Sequence, residues 1–458
     1  MKYLVFFLFL TTLSLPLGVQ AAQKQTDQIT ARIIDVDGDI SEPFFPFEES
    51  YRGAGSVASA DLGADGIAEL LIGSGPGLPP EILLLRQDGT EIGSFLAYDE
   101  NMTRGINIAT CDVDADGNID IVTAPMFGGG PHVRVFDAWG KLRSEFFAYD
   151  ESFLGGVNIS CGDVDNDGND DIITGAGMTG GPHVRVFDKD GEMLFETFTG
   201  DATDNTGTTV AAADLDGDGD AEILSGREGY GDPTVVVVDL TEDRLRFVLS
   251  LVAFDDYQHG IRVFSADIDD DGMDEIGATT QGGDRANIAL YEMTGVQAFS
   301  YEDDIASSHG MIVAAIEGKR ALFALTTEEK TQNEPGQYIR VDISEQTLRA
   351  YQDGALVYSA LVSTGLHSYP TPIDRTVITD KLLWHDYVWS YGEDNPNNYA
   401  LMDVKYNLRF RPHYYLHYAY WHNNFGNRMS HGCVNMAYDD VEWIYNWASV
   451  GATVEVVE

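Results

Sequence analysis

The stretch Ser430-His431-Gly432-Cys433-Val434-Asn435 sets a cysteine directly after a glycine, with one histidine just before it and a second, His417, a short way upstream. A thiol attacks carbonyl carbon only as thiolate, and a free cysteine is mostly protonated at neutral pH. A working site must therefore hold a base or a positive environment beside the sulfur. His417 and His431 are residues of the right type. Backbone N–H groups around Gly432 and Cys433 are natural donors to a tetrahedral oxyanion, because glycine lets the chain approach it closely. The bland alternative makes Cys433 a small buried hydrophobe and leaves the histidines as satisfied core residues. The chemistry that fits the trio is nucleophilic attack by sulfur on a carbonyl carbon, which requires no cofactor.

Such residues need a rigid scaffold, and the surrounding sequence supplies strands. Apolar and polar residues alternate over Gln337–Asp342 and again over Gln346–Tyr351, and Asp353-Gly354 offers a hairpin turn before the next run. Ser363-Thr364-Gly365 and Thr371-Pro372 follow, and Leu416 to Asn435 then carries the histidine and the cysteine. A histidine ahead of a Ser-His-Gly-Cys-x-Asn block resembles the catalytic signature of the L,D-transpeptidases, and the likeness runs from about Gln337 to the last residue. It implies a mainly-β catalytic domain over 336–458. In that family pattern Cys433 attacks a peptide-stem carbonyl to form a thioester, while His417 takes its proton and later returns it. His431 tunes the thiolate or braces the site, and Ser430, Gly432 and Asn435 form the oxyanion and substrate-binding set. One departure is Ile373-Asp374, which stands where the family has a glycine soon after Thr-Pro; it bears on a turn and not on the chemistry. His367, His385, His413 and His422 match no family role and read as surface or packing residues, with no metal site expected from them. Ser307-Ser308-His309-Gly310 imitates the signature, but Met311 occupies the place of the cysteine.

Upstream, the chain repeats. Asp112-x-Asp114-x-Asp116-Gly117-x-x-Asp120 returns as Asp163-x-Asp165-x-Asp167-Gly168-x-x-Asp171, as Asp214-x-Asp216-x-Asp218-Gly219-x-x-Glu222, and as Asp267-x-Asp269-x-Asp271-Gly272-x-x-Glu275. Carboxylates at positions one, three, five and nine around a turn-permitting glycine are the oxygen cage that a hard cation such as calcium prefers. Asn118, Asn169, Asp220 and Met273 fill position seven of the four sets. An EF-hand would need flanking helices and a glutamate at position twelve, whereas these loops run into β-rich segments such as Ile121-Val122-Thr123. A single Asp-rich turn could merely solvate a hairpin end; four copies point to structural calcium.

The repeat extends beyond the loops. Gly129-Gly130-Pro131-His132-Val133-Arg134-Val135-Phe136-Asp137 recurs as Gly180-Gly181-Pro182-His183-Val184-Arg185-Val186-Phe187-Asp188, and Leu96-Ala97-Tyr98-Asp99 is echoed by Phe147-Ala148-Tyr149-Asp150. A period of this length suits a propeller blade. The units resemble FG-GAP or VCBS-type repeats, which implies a calcium-binding β-propeller over 22–325, with His132 and His183 as scaffold residues. Ala31–Asp35 aligns with Val133–Asp137, so the repeats begin partway through a unit. The loop at Asp61 has Gly63 in place of a ligand, and Ile316-Glu317-Gly318 replaces the loop in the last unit. The count is six blades, with seven as the alternative. The first strands are expected to complete the last blade and close the ring.

The net charge is −48, yet the residues after Pro335 hold eight basic and fourteen acidic side chains, about −6 of that total. The ring carries most of the acid, bound calcium would offset part of it, and nucleic acid is excluded as a partner. Met1-Lys2, the apolar run to Leu17 and Val19-Gln20-Ala21 read as a signal peptide over 1–21, so export to the periplasm or cell wall is expected, with no membrane span after cleavage. Only Cys111, Cys161 and Cys433 occur; a disulfide framework is not expected, the first two read as buried blade residues, and a bridge between them stays open. Residues 326–335 read as the linker. The expectation is an exported peptidoglycan L,D-transpeptidase acting on peptide stems. The alternatives are a carboxypeptidase or amidase that uses water on the same stems, and a wall-anchored adhesion protein. The ring's own partner, a protein or a glycan, is left open.

Overall fold

The computed structural model describes residues 29–48, 51, 54–229, 231–241, 244–255, 257, 260–281, 286–303, 311–327, 336–344, 346–352, 355–389, 399–422 and 425–457. The expected signal peptide, the Ser307–Gly310 look-alike and the Asp353-Gly354 turn lie outside these residues. The described chain forms a ring of β-sheets followed by a second, nine-stranded sheet carrying one helix.

Five four-stranded sheets run in sequence order, and a sixth sheet pairs Met311–Ala315 with Ala321–Thr327 and, beyond it, Ile29–Asp35. The propeller therefore has six blades, and seven is ruled out. The N-terminal strand takes the third-strand position of the last blade, as its likeness to Val133–Asp137 predicts, with Ile29 opposite Thr327 and Asp35 opposite Ala321. This pairing also corrects the linker: Thr326 and Thr327 belong to a strand because Thr30 and Ile29 pair with them.

Each blade follows from its residues. The second strands, such as Asp120–Pro125 and Asp171–Ala176, are buried along their whole length. Their sequences are unbroken runs of β-branched and small residues, the pattern of a strand covered on both faces. The fourth strands, such as Leu142–Phe147, alternate in exposure because one face meets water. Between blades a polar ladder repeats. Ser56 Oγ donates to the Ile106 carbonyl at 2.7 Å, Asn107 Nδ2 to Val157 at 2.8 Å, Asn158 Nδ2 to Thr208 at 2.9 Å and Thr209 Oγ1 to Ile261 at 3.0 Å. On the loop side the Asp112 N–H donates to Asp170 and the Asp214 N–H to Asp274, and Glu317 accepts the Asp61 N–H at 2.8 Å. Glu317 thus ties the last unit to the first. His132 and His183 stack on Phe147 and Phe198 and contact Glu145 and Glu196, so both are built into the blade walls.

Cys111 and Cys161 form a disulfide between the first strands of adjacent blades, with Cα atoms 5.7 Å apart. The bridge left open by the sequence is made. In the second sheet Tyr338–Asp342 runs parallel to Thr453–Val457, and helix Tyr438–Trp447 packs Val441 and Ile444 onto the core formed by Ile339, Leu348, Leu416, Val434 and Met436. That helix escaped the sequence reading. Arg104 of the ring donates to the Ser344 carbonyl at 3.2 Å, joining the two parts.

A covalent tie across a sequence separation of 50 residues restricts the unfolded ring, by about 4 kcal/mol on a chain-entropy argument. Cys161→Ser, or reduction of the native chain, should lower the propeller's melting temperature in calorimetry by several degrees. The second transition should not move. A ring that melts at the same temperature with and without reductant would remove the bridge as a brace.

Candidate active site and acidic loops

The parallel pairing of Tyr414–Tyr418 with Val434–Met436 sets the site: Leu416 lies opposite Val434, His417 opposite Asn435, and Tyr418 opposite Met436. Leu416, Val434 and Met436 point into the helix-side core. With the two-residue period of a strand, His417 and Asn435 must project from the other face, and Cys433 lies in the bend that leads directly into Val434–Met436. On the far side Ser363 pairs with Asn435, so Ser363, Asn435 and His417 form a row across three strands.

The turn that delivers Cys433 is braced from within. Ser430 Oγ accepts the Gly432 N–H at 3.0 Å and donates to the Cys433 carbonyl at 2.5 Å. The Ser430 and Met429 N–H groups donate to the Thr364 carbonyl, and the Leu366 N–H donates to the Ser430 carbonyl. Thr364 is in turn held by Gln346, whose Oε1 accepts its N–H at 2.8 Å, and Thr371 Oγ1 accepts the Gly365 N–H at 2.9 Å. The Ser363-Thr364-Gly365 and Thr371-Pro372 segments are thus the floor of the turn that carries Cys433. Gly432 has φ +114°, and a Cβ there would meet the Tyr414 ring at 2.7 Å, so both its conformation and its space call for glycine.

The Gly432 N–H donates to Ser430 Oγ. His431 is exposed and lies against the Tyr369 ring, with centroids 4.6 Å apart, which makes it a wall of the turn. Two histidines read as surface or packing residues are beside the site instead. His385 packs edge-on against Tyr387 and tilted against Tyr415, and Tyr387 packs tilted on His417 at 4.7 Å. Asn435 Nδ2 lies 3.0 Å from His422 Nε2. The hairpin of Asp380–Trp389 and Tyr399–Arg411 supplies this aromatic cover. No sequence signal marked these contacts, because they join segments far apart in the chain.

His417 is 3 % exposed, and its Nδ1 donates to the Tyr418 carbonyl at 2.8 Å, which leaves Nε2 as the basic nitrogen. Burial pushes its pKa down to about 4, against the opposing pull of the Tyr418 carbonyl. The Cys433 thiol is pushed up to about 12 by desolvation, while the Tyr415 backbone N–H acts in the other direction, and its S–H points at the His413 carbonyl 3.7 Å away. Both groups therefore rest uncharged. The arrangement suits a base that removes the proton as the sulfur attacks, not a standing ion pair.

In the ring, carboxylate oxygens of Asp112, Asp114 and Asp116 converge within 4.8 Å, as do those of Asp214, Asp216 and Asp218, and of Asp267, Asp269 and Asp271. In the second loop the group is Asp163, Asp165 and Asp171, and Asp165 Oδ1 is buried with no hydrogen-bond partner. Asp116 and Asp167 each accept from the N–H and amide of Asn118 and Asn169. Asp220 departs from its set and groups with Glu222 and Asp239. The Met273 N–H donates to Asp271. The position-nine carboxylates cap the second loop residue: Asp171 accepts from Val164, Glu222 from Leu215 and Glu275 from Ile268. Burial, the leading cause in each, raises Asp120 to about 6 and Asp171, Glu222 and Glu275 to about 7. A cation would relieve that penalty, so the donor set fits a hard divalent ion.

Comparison with known proteins agrees with this division. Residues 336–456 match the L,D-transpeptidase catalytic domain, and 158–225 match the FG-GAP-like repeat. No curated protein matches the chain. Among solved structures, L,D-transpeptidase 3 from Mycobacterium tuberculosis is similar at 22% identity over 30% of this chain and 74% of that one, with a TM-score of 0.26. An Enterococcus faecium L,D-transpeptidase is similar at 22% over 27% and 50%, with a TM-score of 0.24. One from Mycobacterium smegmatis is similar at 18% over 50% and 94%, with a TM-score of 0.26. The chain thus spans half the length of the second. By motif, fold and family match together, the chain carries an L,D-transpeptidase catalytic domain behind a propeller of FG-GAP-like repeats.

Proposed function

We propose that the protein is an exported cysteine acyltransferase that remodels peptidoglycan peptide stems. The observation that carries this reading is the buried His417, its Nδ1–H held by the Tyr418 carbonyl, on a strand paired in parallel with the one that directly follows Cys433. As Cys433 sulfur bonds to the stem carbonyl, its proton passes to His417 Nε2. The Cys433 N–H is a donor for the oxygen that becomes negative. Collapse of the tetrahedral species breaks the C–N bond to the terminal D-alanine, whose amine takes the proton from His417, leaving a thioester. An acceptor amine then attacks the thioester, His417 removes its proton, and the thiol recovers it on leaving. The leader at 1–21 supports action outside the cytoplasmic membrane, and no helix among the described residues is long and apolar enough to cross a membrane.

Cys433→Ala should abolish crosslinking of muropeptides and covalent labelling by a carbapenem, as read by intact mass. Labelling that persists would sink the nucleophile assignment. His417→Ala should slow acylation about 10²- to 10⁴-fold, the usual range for loss of a general base. Because burial holds His417 near 4, its basic form persists well below the ordinary histidine range, and acylation should fall only as pH drops toward that value. An acid limb at pH 6.5 or above would contradict the buried-base reading.

The acidic loops at Asp112, Asp163, Asp214 and Asp267 would hold calcium, with Asp61 weaker for want of a ligand at Gly63. The convergent carboxylates and the orphaned Asp165 oxygen support this. The ion there would be structural, cancelling the mutual repulsion of the carboxylates at each blade turn. Metal bound only by the folded ring stabilises it by mass action, about 2.7 kcal/mol per site at a hundredfold excess over Kd. Chelation should lower the propeller's melting temperature, calcium should restore it, and magnesium should do so poorly. A melting curve indifferent to chelator would reduce the loops to acidic turns.

A further inference from the structure

We propose that His422 is a positioning residue of the acyl-transfer site, its Nε2 accepting the Asn435 side-chain amide and so fastening the chain after the base strand to the strand that carries the nucleophile. The proposal rests on Cys433 being that nucleophile. Asn435 is 2 % exposed and lies between Ser363 and His417 in the strand row. Its Nδ2 can only donate, so across the 3.0 Å contact the imidazole nitrogen must accept. Burial holds His422 below the usual histidine range, which keeps that nitrogen unprotonated.

The contact closes a circuit. The Trp421 ring packs on His417 at 5.8 Å and on His422 at 6.1 Å, and Phe425 packs on His422 at 5.1 Å. From His417 the path runs through Trp421 to His422, across to Asn435, and back through strand pairing to His417. Without the acceptor, a buried amide hydrogen beside the base loses its partner, at a cost of about 1–3 kcal/mol unless Asn435 turns. Turning would disturb the residue directly opposite His417, and sub-ångström errors at such a site are felt in the rate.

The test uses the full chain and a carbapenem, following acylation of Cys433 by intact mass and by stopped flow over a range of carbapenem concentrations. His422→Phe removes the acceptor, and His422→Leu does the same if Phe is not tolerated. His422→Gln keeps an acceptor near the Nε2 position. The Phe or Leu variant should lose about 10- to 100-fold in the limiting acylation rate, with little change in half-saturating concentration. The Gln variant should recover to within about threefold of wild type, and adding His422→Phe to Asn435→Ala should slow Asn435→Ala no further. A Phe or Leu variant within twofold of wild type, or a folded Gln variant as slow as Phe, overturns the proposal while leaving Cys433 as nucleophile. Wild-type chain that is never acylated overturns both readings.

Discussion

The parallel pairing of Tyr414–Tyr418 with Val434–Met436 is the constraint on which the site depends. Parallel neighbours cannot be joined by a tight turn; the chain must leave the sheet and return, which takes a dozen or more residues. The interval between His417 and Cys433 is that return. Pairing in this register sends Leu416, Val434 and Met436 into the helix-side core and leaves His417 and Asn435 on the opposite face. A slip by one residue would bury His417 among leucine and valine and lift Leu416 into the site. The core therefore enforces the register, and burial of three apolar side chains fixes where His417 and Asn435 lie.

Low dielectric surroundings govern both halves of the molecule, with opposite uses. In the transpeptidase domain burial favours the neutral forms of His417 and Cys433. In the ring the same physics raises Asp171, Glu222 and Glu275, because their carboxylates lie inward next to other acids. There the penalty invites a bound cation.

Much of this was legible in the sequence. The six units, the mid-unit start and the mainly-β second domain follow from spacing and alternation, because each blade repeats the same burial demands at nearly the same interval. The placement of Ile29–Asp35 in the last blade was readable since its sequence is a third-strand sequence with no blade of its own. What sequence did not disclose depends on contacts across the fold. His422 and His385 have no local feature that distinguishes a site histidine from a surface one. The use of the Gly432 N–H by Ser430 follows from a turn geometry, not from residue type. Thr326 and Thr327 look like linker because polar β-branched residues suit both a loop and a strand edge, and only their partners Thr30 and Ile29 decide. The cysteine pair was left open because nothing in a single chain fixes which strands become neighbours.

The strand that closes the ring has a consequence for how the molecule assembles. Thr30 and its partner Thr326 are 296 residues apart, so the last blade cannot be completed until nearly the whole ring has emerged. Contacts of such long range make folding slow, since the loop entropy must be spent before the pairing rewards it. Until then Ile29–Asp35 is an unpaired strand and Ala321–Thr327, paired only with Met311–Ala315, keeps one open edge, both available to other chains. The Cys111–Cys161 link lies wholly within the second and third blades, so it can form well before closure and give the growing array a fixed seam from which the remaining blades are laid down.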